Sequence, residues 1–362
     1  MRLPTSVEEI TTPWLAHALA SSGHGDVVGS RIIEVVHGTA TKIHIEATFA
    51  NGSDQRTRKT FWIKTGFENH SHEIGQETVY AGEVYYYANL AGRWDTRSPQ
   101  CYFTQREADT GNSLIIMADL LEKSPRFFEP VEPISTDLAG RAAATLARIH
   151  ASSWKDPFLK SDPWLASGGA WVQSNVIGWL YSDDNWRLMS GLPRFSVLPA
   201  QLRDRDLLRD AHVRLIHDWR ESVADYCLSH GDAHMGQGYV LPCGEVEFLD
   251  WQCVTTNSWA NDLAYFIGTA LSIEDRRACE KDILAYYLSE LKARDVAAPD
   301  FADAFELYRA YAFHGVGWVC CKPEMQSEEN CAAIAERCAA AVLDLDAIGA
   351  VRDGPTARMR AA

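Results

Sequence analysis

Residues 228–252, LSHGDAHMGQGYVLPCGEVEFLDWQ, limit the possible folds and chemistries of this chain more than any other stretch. The run HGDAHMGQ at 230–237 is polar and broken by Gly231 and Gly236. It cannot continue the helix predicted to end near Tyr226, so it reads as a loop. Val246, Glu247, Phe248 and Leu249 form a short predicted strand, and a β-hairpin through them would return Asp250 to the side of Asp232. One acid could then handle a proton while the other, facing a metal, stays ionised. Phosphoryl transfer needs an aspartate at the attacking hydroxyl, an amide oxygen on Mg2+ a few residues later, and a second aspartate that bridges metal to phosphate. Asp232, Gln237 and Asp250 come in that order. His230 and His234 would otherwise suggest zinc, but such a site needs a third protein ligand at recognisable spacing, and none is identifiable.

The stretch resembles the aminoglycoside phosphotransferase and choline kinase group of protein-kinase-like enzymes. Their catalytic loop reads HGDxxxxN, and their metal aspartate opens a DxQ or DxE motif. HGDAH at 230–234 and FLDWQ at 248–252 are most similar to the ecdysteroid kinase-like branch. Gln237 departs from the pattern by standing where the family has asparagine. Its stem is one methylene longer, so Mg2+, which takes oxygen ligands at about 2.0–2.1 Å in near-octahedral geometry, would be displaced or held through water.

The resemblance implies an α+β, bilobal protein-kinase-like fold. A β-rich nucleotide-binding lobe with a helical preface would occupy residues 1–118, a mainly α-helical catalytic and substrate-binding lobe 119–350, and a loose tail 351–362. ATP with Mg2+ would lie between the lobes. Strands are predicted at 31–36, 42–49 and 60–64, and the turn between the first two, containing Thr39, would cover the phosphates. The third ends in Lys64, which in such folds holds the α- and β-phosphates and pairs with a glutamate of the next helix. That helix is expected over 74–93, where Glu83 fits the pattern better than Glu77. Strands at 102–104 and 113–117 close the sheet, and the backbone from Met117 to Asp119 would bond the adenine edge. Asp232 is the expected catalytic residue, Gln237 and Asp250 the metal ligands, and Asp262 a brace for the loop.

Beyond Pro133 the pattern is helical. Leu138, Ala142, Leu146 and Ile149 fall on one face of a helix over 136–153, and His150 near its end reads as structural. Residues 157–199 are rich in Trp, Gly, Ser and Pro, with Trp164, Trp171, Trp179 and Trp186; the resemblance implies that such an insert flanks the substrate cleft, where its aromatic content could line a pocket for an apolar or ring-containing substrate or simply pack the core. A charged helix over 203–226 is expected to turn Leu207, Leu208, Val213 and Ile216 inward, and further helices follow over 274–294, 301–321 and 328–348.

A formal net charge of −15 argues against a nucleic-acid partner, which would require clustered Lys and Arg. No run approaches the length that spans a bilayer. Nine cysteines without a paired framework, and an N-terminus with a proline and two acids where a signal peptide has its apolar core, suit a reducing cytoplasm. The expected activity is ATP-dependent phosphorylation of a small-molecule alcohol, sterol- or lipid-like by resemblance. An aminoglycoside-type antibiotic or a hydroxyacyl-CoA is the alternative acceptor, and a nucleotide-binding pseudokinase the alternative class. Oligomeric state is not legible.

Overall fold

The computed structural model describes residues 1–51, 55–68, 76–355 and 359–360. They divide into two units, Met1–Ala91 with Ser98–Ser124, and Gly92–Arg97 with Pro125–Ala362. The first unit thus runs past Ala118 to Ser124.

In the first unit, a preface containing α1 (Thr12–Ala18) precedes β1 (Asp26–Val36), β2 (Thr41–Asn51) and β3 (Gln55–Thr65). Pro13 sits in the first turn of α1, and Thr11 caps it by accepting from the Trp14 N–H. With β4 (Cys101–Arg106) and β5 (Ser113–Ala118) the strands form an antiparallel sheet, ordered β1-β2-β3-β5-β4. The polar tip expected from residue 51 to 58 is narrower, because β2 and β3 stay paired out to Asn51 and Gln55. Alternation sends Ile43, Ile45, Phe49, Phe61, Ile63 and Ile116 into a core shared with Leu15 and Leu19. His44, Trp62, Lys64 and Ile115 then fall on the other face. There α2 (Gln76–Tyr85) packs against β5 and runs on into a π turn, Tyr86–Leu90. The helix expected to reach residue 93 stops short because Gly92 adopts a left-handed φ of 82°. Residues 74 and 75 and the Glu77 side chain lie outside the described residues.

In the second unit, α3 (Thr136–Ser152) starts at a Ser135 cap and buries Ala142, Leu146 and Ile149 as its spacing predicts. Short helices follow between Phe158 and Ser190, then α4 (Arg205–Arg214), a π turn at Leu215–Trp219 and a last turn at Arg220–Ser222. Two expectations fail here. Leu207 and Val213 are 40% and 41% exposed, because the buried stripe runs through Leu208, Ala211, His212, Leu215 and Trp219, one position off both of them. Tyr226 does not end a helix but opens β7 (Tyr226–Ser229).

A strand pair, a small sheet and a buried helix surround the candidate loop. β7 pairs with β10 (Thr255–Ser258), and β6 (Arg126–Phe127), β8 (Gly238–Val240) and β9 (Val246–Phe248) make a small sheet ordered β6-β8-β9. Every residue of α5 (Trp259–Ala270) is buried. Helix α6 (Ile273–Lys292) packs along α3. Helix α7 (Phe301–Tyr311) ends ten residues before the expected 321, and a buried 3-10 segment carrying Gly315 and Gly317, His314–Cys320, takes over. Helices α8 (Glu328–Asp344) and α9 (Ala347–Asp353) replace the single helix expected over 328–348, broken where Asp346 takes a left-handed φ of 47°. Within the tail expected to be loose, Val351 and Met359 are buried, and Arg360 bridges Val223. That pairing is non-local and leaves no mark on the local pattern.

α3 also fastens the site's hairpin. Thr145 Oγ1 donates to the Val246 carbonyl at 2.6 Å, and buried Arg148 pairs with Glu247 at 2.6 Å and Asp95 at 2.7 Å. Burial raises the Glu247 carboxyl above its usual range, with Arg148 and Arg97 opposing the shift. Removing one partner of a buried pair leaves the other charge uncompensated, whereas replacing both by apolar groups does not. Arg148→Met is therefore expected to cost about 3–5 kcal/mol in urea denaturation, and Arg148→Met with Glu247→Leu to recover most of it. Additive losses would show that the two are not an energetic pair.

Candidate active site

In the first unit, strand alternation and α2 bring Lys64 and Glu83 together. Lys64 Nζ lies 2.7 Å from Glu83 Oε2, with both side chains buried. A pair so far from water carries a desolvation penalty that packing alone does not require. The turn holding Thr39 is fastened from two sides. Tyr80 of α2 donates its hydroxyl to the Thr39 carbonyl, and Glu68 accepts from Thr41 Oγ1 at 2.7 Å. Met117, near the end of β5, pairs with Trp62 and Cys101. Asp119 turns its carboxylate inward, accepting from Trp62 Nε1 at 3.1 Å and the Leu121 N–H at 2.9 Å and meeting His44 Nε2 at 2.8 Å. Burial works to raise its pKa, but hydrogen bonds from Thr60, Leu121 and His44 outweigh burial and hold it below the usual range.

In the second unit the loop is anchored by Asp262, near the start of α5. This fully buried carboxylate accepts from the His230 N–H at 2.7 Å, the Gly231 N–H at 3.0 Å, Ser229 Oγ at 2.8 Å and His150 Nε2 at 3.1 Å. Burial alone would raise its pKa, yet these donors, His150 first, bring it below the carboxylate range. His150 must donate through Nε2, so its Nδ1 takes the Tyr287 hydroxyl at 2.7 Å. Gly231 has a φ of 80°, and a Cβ there would lie 2.0 Å from the Cys253 carbonyl oxygen. Only glycine fits.

The hairpin brings the three expected residues together. The Leu249 N–H donates to the Gln237 carbonyl at 3.0 Å, and His230 Nε2 donates to the Leu249 carbonyl at 2.9 Å. Asp250 follows in the left-handed region, φ 69°, strained for a residue with a Cβ. The Gln237 side-chain amide then stands 3.5 Å from both Asp232 Oδ2 and Asp250 Oδ2. The atom that donates to the two carboxylates is Nε2; with the amide turned over, Oε1 and the two carboxylates would make an all-oxygen donor set, suited to a hard cation completed by water and phosphate. Among the described residues no group of three His, Cys, Asp or Glu side chains could hold a metal.

Of the rings around this loop, sequence reasoning reached only the Trp-rich stretch that holds Trp171, and missed the others. Trp171 Nε1 donates to the Gly231 carbonyl at 2.7 Å. His234 accepts the Gly236 N–H on Nδ1, which leaves a proton on Nε2, 3.9 Å from Asp232 Oδ2. Its ring stands edge-on to Trp318 at 4.7 Å and lies 5.9 Å from Tyr265, whose hydroxyl accepts from Trp318 Nε1. Tyr265 and Trp171 in turn flank His314, each at 4.7 Å. For His314 and Trp318 the signal was HGVGW at 314–318, two glycines among bulky rings, which is too short to show a period.

Burial pushes His234 down to about 3 and His314 down to about 4. Folded pKa values below the ordinary histidine value of about 6.5 mean that the unfolded chain binds more protons. The stability these groups contribute is present above pH ~6.5 and is lost as pH falls toward their folded values. Between pH 7 and 5, Tm is expected to fall with acidification, and His234→Asn to flatten the slope; an unchanged slope would show that His234 is protonated in the folded state.

Residues 217–296, which contain the whole loop and hairpin, match the model of the Ecdysteroid kinase-like family. A Caenorhabditis elegans protein named uncharacterized oxidoreductase dhs-27 is 27% identical over 251 residues, which is 62% of this chain and 28% of that protein. The chain thus spans little more than a quarter of this curated relative. Plasmodium vivax ethanolamine kinase has the same fold, with a TM-score of 0.50 and 12% identity over 88% of this chain and 81% of its own. Choline kinase LicA from Streptococcus pneumoniae superposes with a TM-score of 0.45 and 14% identity, over 91% of this chain and 99% of its own. No helix among the described residues is long and apolar enough to cross a membrane. The family match thus lies on the stretch that holds the HGDAH loop and its hairpin, and the fold is shared with ethanolamine kinase.

Proposed function

We propose that this chain transfers the γ-phosphoryl group of ATP to a hydroxyl of a small molecule, and that the acceptor is a sterol- or other lipid-like alcohol. The observation that carries the reading is the convergence of Asp232, Gln237 and Asp250 around one amide, on a loop held rigid by Asp262. Asp232 would orient the attacking hydroxyl and accept its proton as the new P–O bond forms and ADP leaves. Gln237 and Asp250 would hold Mg2+, which neutralises phosphate charge when bound. Lys64, oriented by Glu83, would hold the α- and β-phosphates, with the Thr39 turn over them and the backbone from Met117 to Asp119 on the adenine. Most of the rate gain in such a reaction is alignment and charge stabilisation.

The acceptor class is supported by the rings beside Asp232. Trp171, Tyr265 and Trp318 offer apolar faces, and His234 is held neutral by burial. An aminoglycoside would call for an acidic cleft and a hydroxyacyl-CoA for a basic mouth.

Purified protein is expected to consume ATP with Mg2+ when offered sterols, in a panel that also holds aminoglycosides and hydroxyacyl-CoAs, and to lose that activity in Asp250→Ala. Asp232→Asn is expected to lower kcat by about 100-fold or more with little change in ATP affinity; full turnover would remove Asp232 from the chemistry. Gln237→Asn, too short to reach both carboxylates from this backbone, is expected to raise the Mg2+ requirement several-fold in the same assay. A lowered requirement would mean that glutamine weakens the site, and nucleotide binding without turnover of any alcohol would identify a pseudokinase.

A further inference from the structure

His314 is 4% exposed, and neither of its ring nitrogens has a hydrogen-bond partner among the described residues. Drying two polar atoms without replacing their bonds to water is unfavourable, so an orphaned buried imidazole asks for an explanation. The residue is not remote from the chemistry. Its ring stands edge-on to Trp171 and Tyr265, each at 4.7 Å, and 5.4 Å from His212. Trp171 bonds the carbonyl next to Asp232, and Tyr265 borders His234, which faces Asp232. His314 is therefore one ring behind the catalytic loop along two routes. The backbone that carries it is pressed close to the same rings. A Cβ on Gly315 would come within 3.3 Å of the Tyr265 ring, and one on Gly317 within 3.2 Å of His212 Cε1.

Resting on the kinase reading above, we propose that His314 selects the acceptor, its imidazole binding a second oxygen, hydroxyl or ketone, of an uncharged ring-bearing alcohol whose reacting hydroxyl lies at Asp232. Burial keeps the ring neutral at neutral pH. A neutral imidazole has one N–H and one lone pair, the complement of a hydroxyl, and offers no charge to an ammonium or a carboxylate. In the present packing both nitrogens are sealed from water, so admission of the acceptor requires Trp171 or Tyr265 to swing aside. The gain is one of the two hydrogen bonds that the imidazole lacks. A site built to bond an oxygen rejects the analogue without it far more strongly than an apolar pocket rejects a missing methylene.

The test uses two steroid probes that differ by one remote hydroxyl, androstanediol and androstanol, with choline as the cationic control. Binding is read by tryptophan fluorescence, and turnover by ADP release with Mg2+ and ATP. The wild type is expected to prefer the diol by about tenfold or more, in Kd and in kcat/KM. His314→Phe is expected to abolish that preference while ATP affinity holds and Tm stays level or rises, because an unsatisfied polar group has been removed. His314→Gln, with a donor and an acceptor, is expected to restore part of the preference. A His314→Phe protein that keeps the preference, or that loses several degrees of Tm with acceptor binding intact, would assign His314 a structural role and overturn the proposal. So would a wild type that binds both steroids equally, binds neither, or binds choline through His314. Diol binding that depends on His314 without any phosphate transfer would support this inference while sinking the kinase reading.

Discussion

Asp262 has no exposed surface, and the backbone of the HGD loop hangs from it through the amides of His230 and Gly231. A carboxylate in such a place must find donors for its lone pairs or become protonated. It finds them in three different elements, since Ser229 ends β7, His150 comes from α3 and the loop amides follow β7. The chain reaches this carboxylate from far apart in sequence, so the geometry of the candidate site follows from the packing of α3, α5 and β7.

Against that rigid frame the hairpin carries strain in two places. Gly231 has the left-handed turn at no steric cost, but Asp250 adopts a similar backbone with a Cβ present. The alternative, an extended Asp250, would swing its carboxylate away from Gln237. Backbone bonds between Gln237, Leu249 and His230 hold the strained form. The Lys64–Glu83 pair in the first unit has the same character, since an ion pair with almost no exposure is costly unless its geometry is good. Local rules of folding are broken at the positions where chemistry was expected.

Much of this was legible in the sequence because it is local. Two-residue alternation marked β2, three- and four-residue spacing marked α3, and the glycines of HGDAHMGQ ruled out a helix there. The grouping of Asp232, Gln237 and Asp250 followed from a hairpin whose strands could be read. Illegible features depend on the third dimension. Leu207 and Val213 look as apolar as Leu208, and only the neighbours of α4 decide which of them face inward. The end of α7 at Tyr311 and the bridge from Arg360 to Val223 are set by packing and by a non-local pair. The rings around His234 come from stretches near residues 171, 234, 265 and 318, which no window on the sequence brings together.

The bonds to Asp262 also bear on motion. The amides of His230 and Gly231 are tied to a side chain that water reaches only when α5 separates from its neighbours, so their hydrogens should exchange with solvent as slowly as those of the helical core. A loop of this kind cannot breathe on the timescale of turnover. Whatever movement lets substrates in and products out must come from side chains and segments beyond it, and the HGD backbone stays the fixed point against which they move.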